Sequence, residues 1–274
     1  MTQREIPPNM SPAVVATIDA RLAAVRRDHG VVMPLAIESG SRAWGFPSPD
    51  SDYDCRFIYV RPVDQYLSPW QPRDVIETPM DGILDVNGWD LGKALKLLLK
   101  GNAVIIEWLM SPITCGADLG FRAAFLALAR QLARRDLVGR HYLHLGQRQR
   151  RVHFGEGGSV PQKKIFYALR PAAALRWLRL HVDATVAPMH FPTLIAQCEP
   201  PAEVTDIITE LITRKAVTRE LGTEPLPPAI NAFLDSEFAL ASSVFPIRPA
   251  LIAEAEREAT EDFFRTWVRR FDPA

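Results

Sequence analysis

Two aspartates, two positions apart, lie just downstream of a glycine-serine pair. Asp52 and Asp54 open a strand-like segment, and side chains at positions i and i+2 of a strand point to the same face. Gly40 and Ser41 follow an apolar, β-branched run, residues 31–37, that is typical of a buried strand. A glycine-serine turn into a short helix presents backbone N–H groups that attract phosphate oxygens. Two carboxylates beside such a turn suit a divalent cation and a triphosphate.

Two further acidic residues lie in or directly after the next predicted strand. The spacing predicts a strand over residues 83–89, with Asp85 and Asn87 on one face and apolar side chains on the other. Strand interiors disfavour Asp, which favours a functional role for Asp85. Asp90 is the alternative third carboxylate, although its position at the start of a helical pattern also explains it as an N-cap.

These residues resemble the nucleotidyltransferase superfamily that includes DNA polymerase beta. That superfamily is marked by Gly-Ser after the first strand, Asp-x-Asp on the second and a carboxylate on a later strand. Gly40-Ser41 and Asp52-x-Asp54 match the first two parts at a fitting spacing. Taken alone, the Asp-x-Asp would also be explained as turn chemistry, because Asp is common in turns.

A narrower resemblance is to the predicted nucleotidyltransferases associated with RNA repair, the RlaP group. Its first part is the run Gly-Ser-Arg-Ala-Trp-Gly-Phe, residues 40–46, followed by Ser-Asp-Tyr-Asp, residues 51–54. Further similar segments are residues 87–91, 100–102, 107–109 and 163–171. The resemblance covers roughly residues 31 to 190.

The resemblance implies roles for particular residues. Asp52, Asp54 and Asp85 would hold Mg²⁺, or Mn²⁺, with the first two also serving the nucleotide phosphates. The residues implied to bind the phosphates of a nucleoside triphosphate are Gly40, Ser41, Arg42, Lys163 and Lys164. The two lysines have an ordinary alternative as part of a solvated helix face.

The remaining pattern predicts helices around these strands. Ser11 and Pro12 begin an amphipathic helix that Gly30 ends. The proline-rich stretch 61–72 predicts irregular structure. Beyond residue 115 the pattern is helical. The predicted helices span residues 91–100, 103–110, 121–135, 137–151, 163–182, 202–221, 228–243 and 249–271, with a glycine-rich break at 153–159.

Composition limits the classes of partner and compartment. The 274 residues include 32 basic and 32 acidic side chains, so any binding of nucleic acid must use a local patch. The arginine-rich stretch 134–151 is one candidate for contact with an RNA backbone. Three distant cysteines indicate a reducing cytosol, and no apolar run is long enough for a signal peptide or a membrane span. We therefore expect a cytoplasmic protein that does not associate with membranes.

Together, these patterns predict an α+β fold in two parts. Residues 1–115 would form a small mixed-sheet nucleotidyltransferase core with helices on one face. Residues 116–274 would form a helical domain that completes the cleft. The expected activity is metal-dependent transfer of a nucleoside monophosphate from an NTP to an acceptor, with an RNA end as the acceptor implied by the resemblance. A small molecule or protein as acceptor, and a non-catalytic binding module, are the alternatives.

Overall fold

The computed structural model describes residues 2–154, 159–219, 221–246 and 251–272. Within these ranges a six-stranded mixed sheet and a two-stranded sheet are combined with twelve helices. The α+β class and the mixed sheet are thereby confirmed. The predicted helical C-terminal region agrees with the structure as well.

The six-stranded sheet has the order β1-β6-β2-β3-β5-β4. Its strands are β1 (Thr2–Glu5), β2 (Val32–Glu38), β3 (Tyr53–Val60), β4 (Val75–Glu77), β5 (Leu84–Asp90) and β6 (Thr114–Asp118). The central strands β3 and β5 pair in parallel, with Asp54 opposite Asp85, whereas the other neighbours pair antiparallel. The first residues of β3 and β5 therefore lie side by side at one end of the sheet.

Helices cover both faces of the sheet, and the expectation of helices on one face is wrong. The reason is visible in β3, where Cys55 and Phe57 are buried on one side and Ile58 on the other. A strand that is apolar on both sides needs cover on both sides. Helix α1 (Pro12–His29) covers the first face, and α4 (Leu91–Leu99) and α5 (Ala103–Met110) cover the second.

Local signals place several boundaries as predicted. Helix α1 begins at Pro12 and ends at Gly30, which has φ 59° in the left-handed region that glycine tolerates. Asp90 accepts a hydrogen bond from the N–H of Gly92 and caps α4, and Asn102 caps α5 in the same way. These confirmed boundaries fix where the chain enters and leaves the sheet.

Two segments differ from the expectation. The stretch 61–72 contains a short helix, α3 (Val63–Leu67), because Pro62 is compatible with a helix start and the Tyr66 hydroxyl is anchored on Asp90. The chain beyond residue 115 is not immediately helical, since β6 continues to Asp118 by pairing with β1 and β2. The division into residues 1–115 and 116–274 remains a prediction.

The second half of the chain is mainly helical. Its helices are α6 (Leu119–Leu132), α7 (Arg135–His153), α8 (Gln162–Leu180), α9 (Phe191–Cys198), α10 (Ala202–Val217), α11 (Pro228–Val244) and α12 (Glu254–Phe271). The short strands β7 (Ser159–Pro161) and β8 (Thr223–Pro225) pair antiparallel. Helix α8 is buried along most of its length, runs through Pro171 and packs against α7, α9 and α11. The last helix, α12, returns to the sheet region and contacts α4 and α6.

Most of the predicted helices are confirmed with shifted ends. Helix α9 was not predicted, and α10 ends at Val217 instead of residue 221. Of the predicted glycine-rich break, residues 155–158 lie outside the described residues, as do residues 247–250 near the predicted start of the last helix.

Candidate active site at the start of the central strands

The turn after β2 packs directly against β3. The N–H of Ser39 donates to the carbonyl of Asp54 at 2.9 Å. A Cβ on residue 40 would lie 2.0 Å from Oδ2 of Asp54, so any larger residue at that position would force the Asp54 side chain to move. Helix α2 (Ser41–Trp44) follows at once and ends at Gly45, whose φ is 88°. The predicted glycine-serine turn therefore lies against the second aspartate of Asp-x-Asp.

Hydroxyl and guanidinium groups hold the loop between α2 and β3. The Ser41 hydroxyl donates to that of Ser51 at 2.9 Å. Arg42 donates to the carbonyls of Ser51 and Asp52 at 2.7 and 3.3 Å, and its guanidinium lies 3.8 Å from the centroid of the Tyr53 ring. Arg42 is thus engaged in bracing this loop, while the carboxylate of Asp52 is exposed.

The carboxylates of Asp54 and Asp85 converge on Arg56. Its Nη2 lies 3.1 Å from Oδ1 of Asp54 and 2.7 Å from Oδ2 of Asp85. All three side chains are on the same face of the sheet, because they occupy matching positions of two parallel strands. Asn87, on the same face of β5, donates to the other oxygen of Asp85 at 3.2 Å. The structure brings together the two carboxylates predicted on separate strands, with the guanidinium of Arg56 between them.

The charges of this cluster are strongly coupled. Burial raises the pKa of Asp54, Arg56 opposes this increase, and the carboxylates of Asp85 and Asp52 raise the pKa further. Tyr167 on α8 faces the same charges, since burial and then Asp54 and Asp52 raise its pKa. Asp52 therefore lies close enough to act electrostatically on Asp54.

The alternative carboxylate Asp90 lies at the other end of β5. It is buried, caps α4 through Gly92 and accepts a hydrogen bond from the Tyr66 hydroxyl at 2.8 Å. Its contacts account for it as a structural residue. Asp85 is the carboxylate that lies beside Asp54.

The first turns of α8 lie over the loop that precedes β3. Lys163 forms a 2.8 Å ion pair with Asp50, and Nζ of Lys164 lies 4.7 Å from the centroid of the Tyr167 ring. Tyr167 in turn meets Trp44 of α2 edge to face at 6.0 Å. Lys163 thus contacts the loop between α2 and β3, and Lys164 lies on a tyrosine ring that meets α2.

A buried glutamate missed by the sequence reasoning joins the turn to β3. Glu38, the last residue of β2, has no exposed surface, and its Oε1 accepts from the N–H groups of Gly40 and Asp54, each at 3.1 Å. Within the described part of the chain, its Oε2 has no hydrogen-bond partner. Burial and the charge of Asp54 raise the pKa of Glu38 to about 7. An acidic residue ending an apolar strand was the available signal.

The chemistry of these donors fits Mg²⁺. Two carboxylate oxygens, one from Asp54 and one from Asp85, already face a single positive nitrogen, and hard divalent cations prefer oxygen ligands. In the ranges that the structure describes, no group of three His, Cys, Asp or Glu side chains is arranged to hold an ion. The assignment of Asp52 as a third ligand stays a prediction.

The arginine-rich stretch 134–151 is largely engaged within the protein. Arg134 pairs with Asp136 at 2.9 Å, and Arg150 contacts Asn231 at 2.8 Å. Arg135 donates to the carbonyl of Leu178. The ion pair with Asp136 lowers the net positive charge that this stretch offers to an RNA backbone, and the other two contacts hold their arginines against the protein. None of the described helices combines the length and apolar character needed to cross a membrane.

Comparison with known proteins identifies the class as a protein of the DNA polymerase beta family. The chain belongs to the RNA repair pathway DNA polymerase beta family, RlaP, whose model matches residues 14–265. It is similar to a protein of Bacillus subtilis (strain 168) described as uncharacterized protein YcgL. The two are 37% identical over 216 residues, which cover 79% of this chain and 82% of the relative.

Proposed function

We propose that this protein is a metal-dependent nucleotidyltransferase that transfers a nucleoside monophosphate from an NTP to an RNA end. The observation that carries the proposal is the convergence of Asp54 and Asp85 on one point, beside a glycine that touches Asp54. Membership of an RNA repair pathway family supports RNA as the acceptor.

In the proposed reaction, an acceptor hydroxyl attacks the α-phosphorus of the NTP. The new P–O bond forms as the bond to the β-phosphate breaks, and pyrophosphate leaves. Asp52, Asp54 and Asp85 would hold Mg²⁺, or Mn²⁺, which neutralises developing negative charge on the phosphates. We also propose that the carboxylate of Asp85 accepts the proton of the attacking hydroxyl.

The phosphates of the donor would lie along the glycine-serine turn. Gly40 lacks a Cβ, and the Ser41 hydroxyl lies at the start of α2. Lys163 and Lys164 would supply positive charge from the first turn of α8, and Arg42 would hold the loop behind them. Phosphoryl transfer needs mostly positioning and charge neutralisation, which these groups provide.

Isothermal titration distinguishes this enzyme from a binding module with the same fold. The protein is titrated with each NTP, with and without Mg²⁺, and with single-stranded RNA. NTP binding that requires Mg²⁺ supports the proposal. RNA binding without any NTP affinity would show a non-catalytic module. The acceptor is tested separately, by transfer of labelled nucleotide: label on a small molecule or a protein, and none on RNA, would correct the acceptor.

A further inference from the structure

We propose that Glu38 is a positioning residue, which sets the distance between the glycine-serine turn and the catalytic strand β3 through a single carboxylate oxygen. The inference rests on the proposed function, because the two segments it joins are those assigned to the phosphates and the carboxylates. Neither the motifs that carry the sequence resemblance nor the residues assigned to the site include Glu38.

The contacts of Glu38 are with the backbone on both sides of the site. Its Oε1 accepts from the N–H of Gly40, in the turn, and from the N–H of Asp54, in β3, each at 3.1 Å. One acceptor atom therefore bridges Gly40 and Asp54, which are fourteen residues apart in sequence. Any movement of the turn away from Asp54 must break one of these two hydrogen bonds.

The glutamate itself is held firmly. Its N–H donates to the carbonyl of Ile113 at 3.1 Å, and its carbonyl accepts from the hydroxyl of Ser111 at 2.6 Å. Ser111 is buried, and its hydroxyl lies within 3.1 Å of the Ile113 carbonyl as well. The end of β2 is thus fixed to the start of β6, so the carboxylate acts from a rigid base.

Glu38 acts from the opposite face of the sheet. It pairs with Cys55, whose side chain is buried on the face covered by α1, whereas Asp54 and Arg56 project from the other face. Glu38 therefore does not meet substrate. Because the N–H of Gly40 donates its hydrogen bond to Glu38, it is not free to donate to a phosphate.

The energetics indicate a specific role. A buried carboxylate with one unpaired oxygen destabilises the fold. The two hydrogen bonds need only one acceptor oxygen, which glutamine also offers in the same geometry. Alanine offers none. Comparing the glutamine and alanine variants therefore separates the effect of losing the acceptor oxygen from the effect of losing the negative charge.

The test compares the variants E38A and E38Q with E237A as the control. Glu237 on α11 is equally buried but binds Arg176 and Arg179, away from the site. We expect E38A to lose about 10²-fold in kcat, the scale of a small misplacement of reacting groups. The kcat of E38Q should stay within about tenfold of the wild-type value, because an amide oxygen still accepts both hydrogen bonds, although more weakly than a carboxylate. E237A should lower the melting temperature and leave kcat unchanged.

Amide hydrogen exchange provides a second measurement that does not need activity. E38A should accelerate exchange at Gly40 and Asp54 at temperatures where the protein is folded, and E38Q and E237A should not. A folded E38A with the kcat of wild type, or an E38Q as impaired as E38A, would overturn the inference. If the wild-type protein transfers no nucleotide, the proposed function fails. In that case hydrogen exchange still tests the role of Glu38, and unchanged exchange at both amides in E38A would overturn the inference.

Discussion

Gly40 and Asp54 are in such close contact that a Cβ on residue 40 would lie 2.0 Å from the Asp54 carboxylate. The backbone at Gly40 has φ −93°, which any residue adopts, so the constraint is purely one of space. The turn assigned to the phosphates and the carboxylate assigned to the cation are therefore one packed unit, and disturbing either should disturb the other.

The first prediction concerns this contact. We expect G40A to lower stability by about 1–3 kcal/mol, as overpacking does, and to reduce nucleotide transfer strongly by displacing Asp54. G116A is the matched control, since a Cβ on this glycine of β6 meets nothing within 4 Å. Thermal unfolding and transfer rates of both variants test it, and a fully active G40A would contradict the packing argument.

The second prediction separates Asp85 from Asp90. D85N should keep most of the stability and lose about 10²-fold or more in rate, because it removes a charge assigned to the reaction. D90A should lose about 1–2 kcal/mol with its helix cap and keep its rate. Denaturant unfolding and transfer assays measure the two effects. If D90A were folded but inactive while D85N was active, Asp90 and not Asp85 would be the third carboxylate.

The third prediction concerns Arg56, whose guanidinium lies between the carboxylates of Asp54 and Asp85. R56M should lower stability in the absence of divalent metal, by about 1–3 kcal/mol, because Asp54 and Asp85 lose their shared counter-ion. Added Mg²⁺ should restore part of this loss. The control R4M removes an exposed ion pair with Asp19, which should cost less than about 1 kcal/mol and gain nothing from Mg²⁺.

The fourth prediction tests Lys163 as a phosphate ligand. K163A and D50N both break the exposed Lys163–Asp50 ion pair, so their stabilities should fall equally and by no more than about 1 kcal/mol. Only K163A removes the positive charge, and only it should raise the KM for NTP. Equal KM values for the two variants would show that the lysine serves the ion pair alone.

The fifth prediction concerns pH. Lys215 is buried, donates to the carbonyl of Phe46, and its pKa is lowered to about 8, first by burial and then by the charge of Lys163. Between pH 8 and the ordinary lysine pKa of 10.5, the unfolded chain binds the proton more tightly than the folded one. The contribution of Lys215 to stability therefore increases as pH rises through this window.

The variant K215M isolates that contribution. The difference in unfolding free energy between wild type and K215M should increase in favour of wild type from pH 8 to 10.5, by no more than about 3 kcal/mol. A difference that stays constant over this range would contradict the lowered pKa.

The sequence was sufficient where a local pattern dictates the structure. The alternation around Asp85 predicted its strand and its face, and Asp90 and Asn102 predicted two helix starts through their caps. Strand β6 was missed because its short sequence, with Gly116, lacks alternating apolar residues and depends on pairing with β1 and β2. Its position is a property of the sheet as a whole.

The same distinction holds for the site. The type and spacing of Asp52 and Asp54 predicted a divalent-cation site, which stays a prediction, whereas Glu38 and Arg56 were not predicted. Each has one partner on another strand, the Asp54 amide for Glu38 and the Asp85 carboxylate for Arg56, and no local spacing reveals these contacts. The apolar content of β3 on both sides, by contrast, was present in the sequence and indicates helices on both faces.

The most direct test of the central claim follows label from the α-phosphate of an NTP into RNA in the presence of Mg²⁺. Wild type should transfer the label and release pyrophosphate, and the double variant D52N/D54N should transfer none while remaining folded. Transfer that persists undiminished in the folded double variant would contradict the assignment of the reaction to these carboxylates.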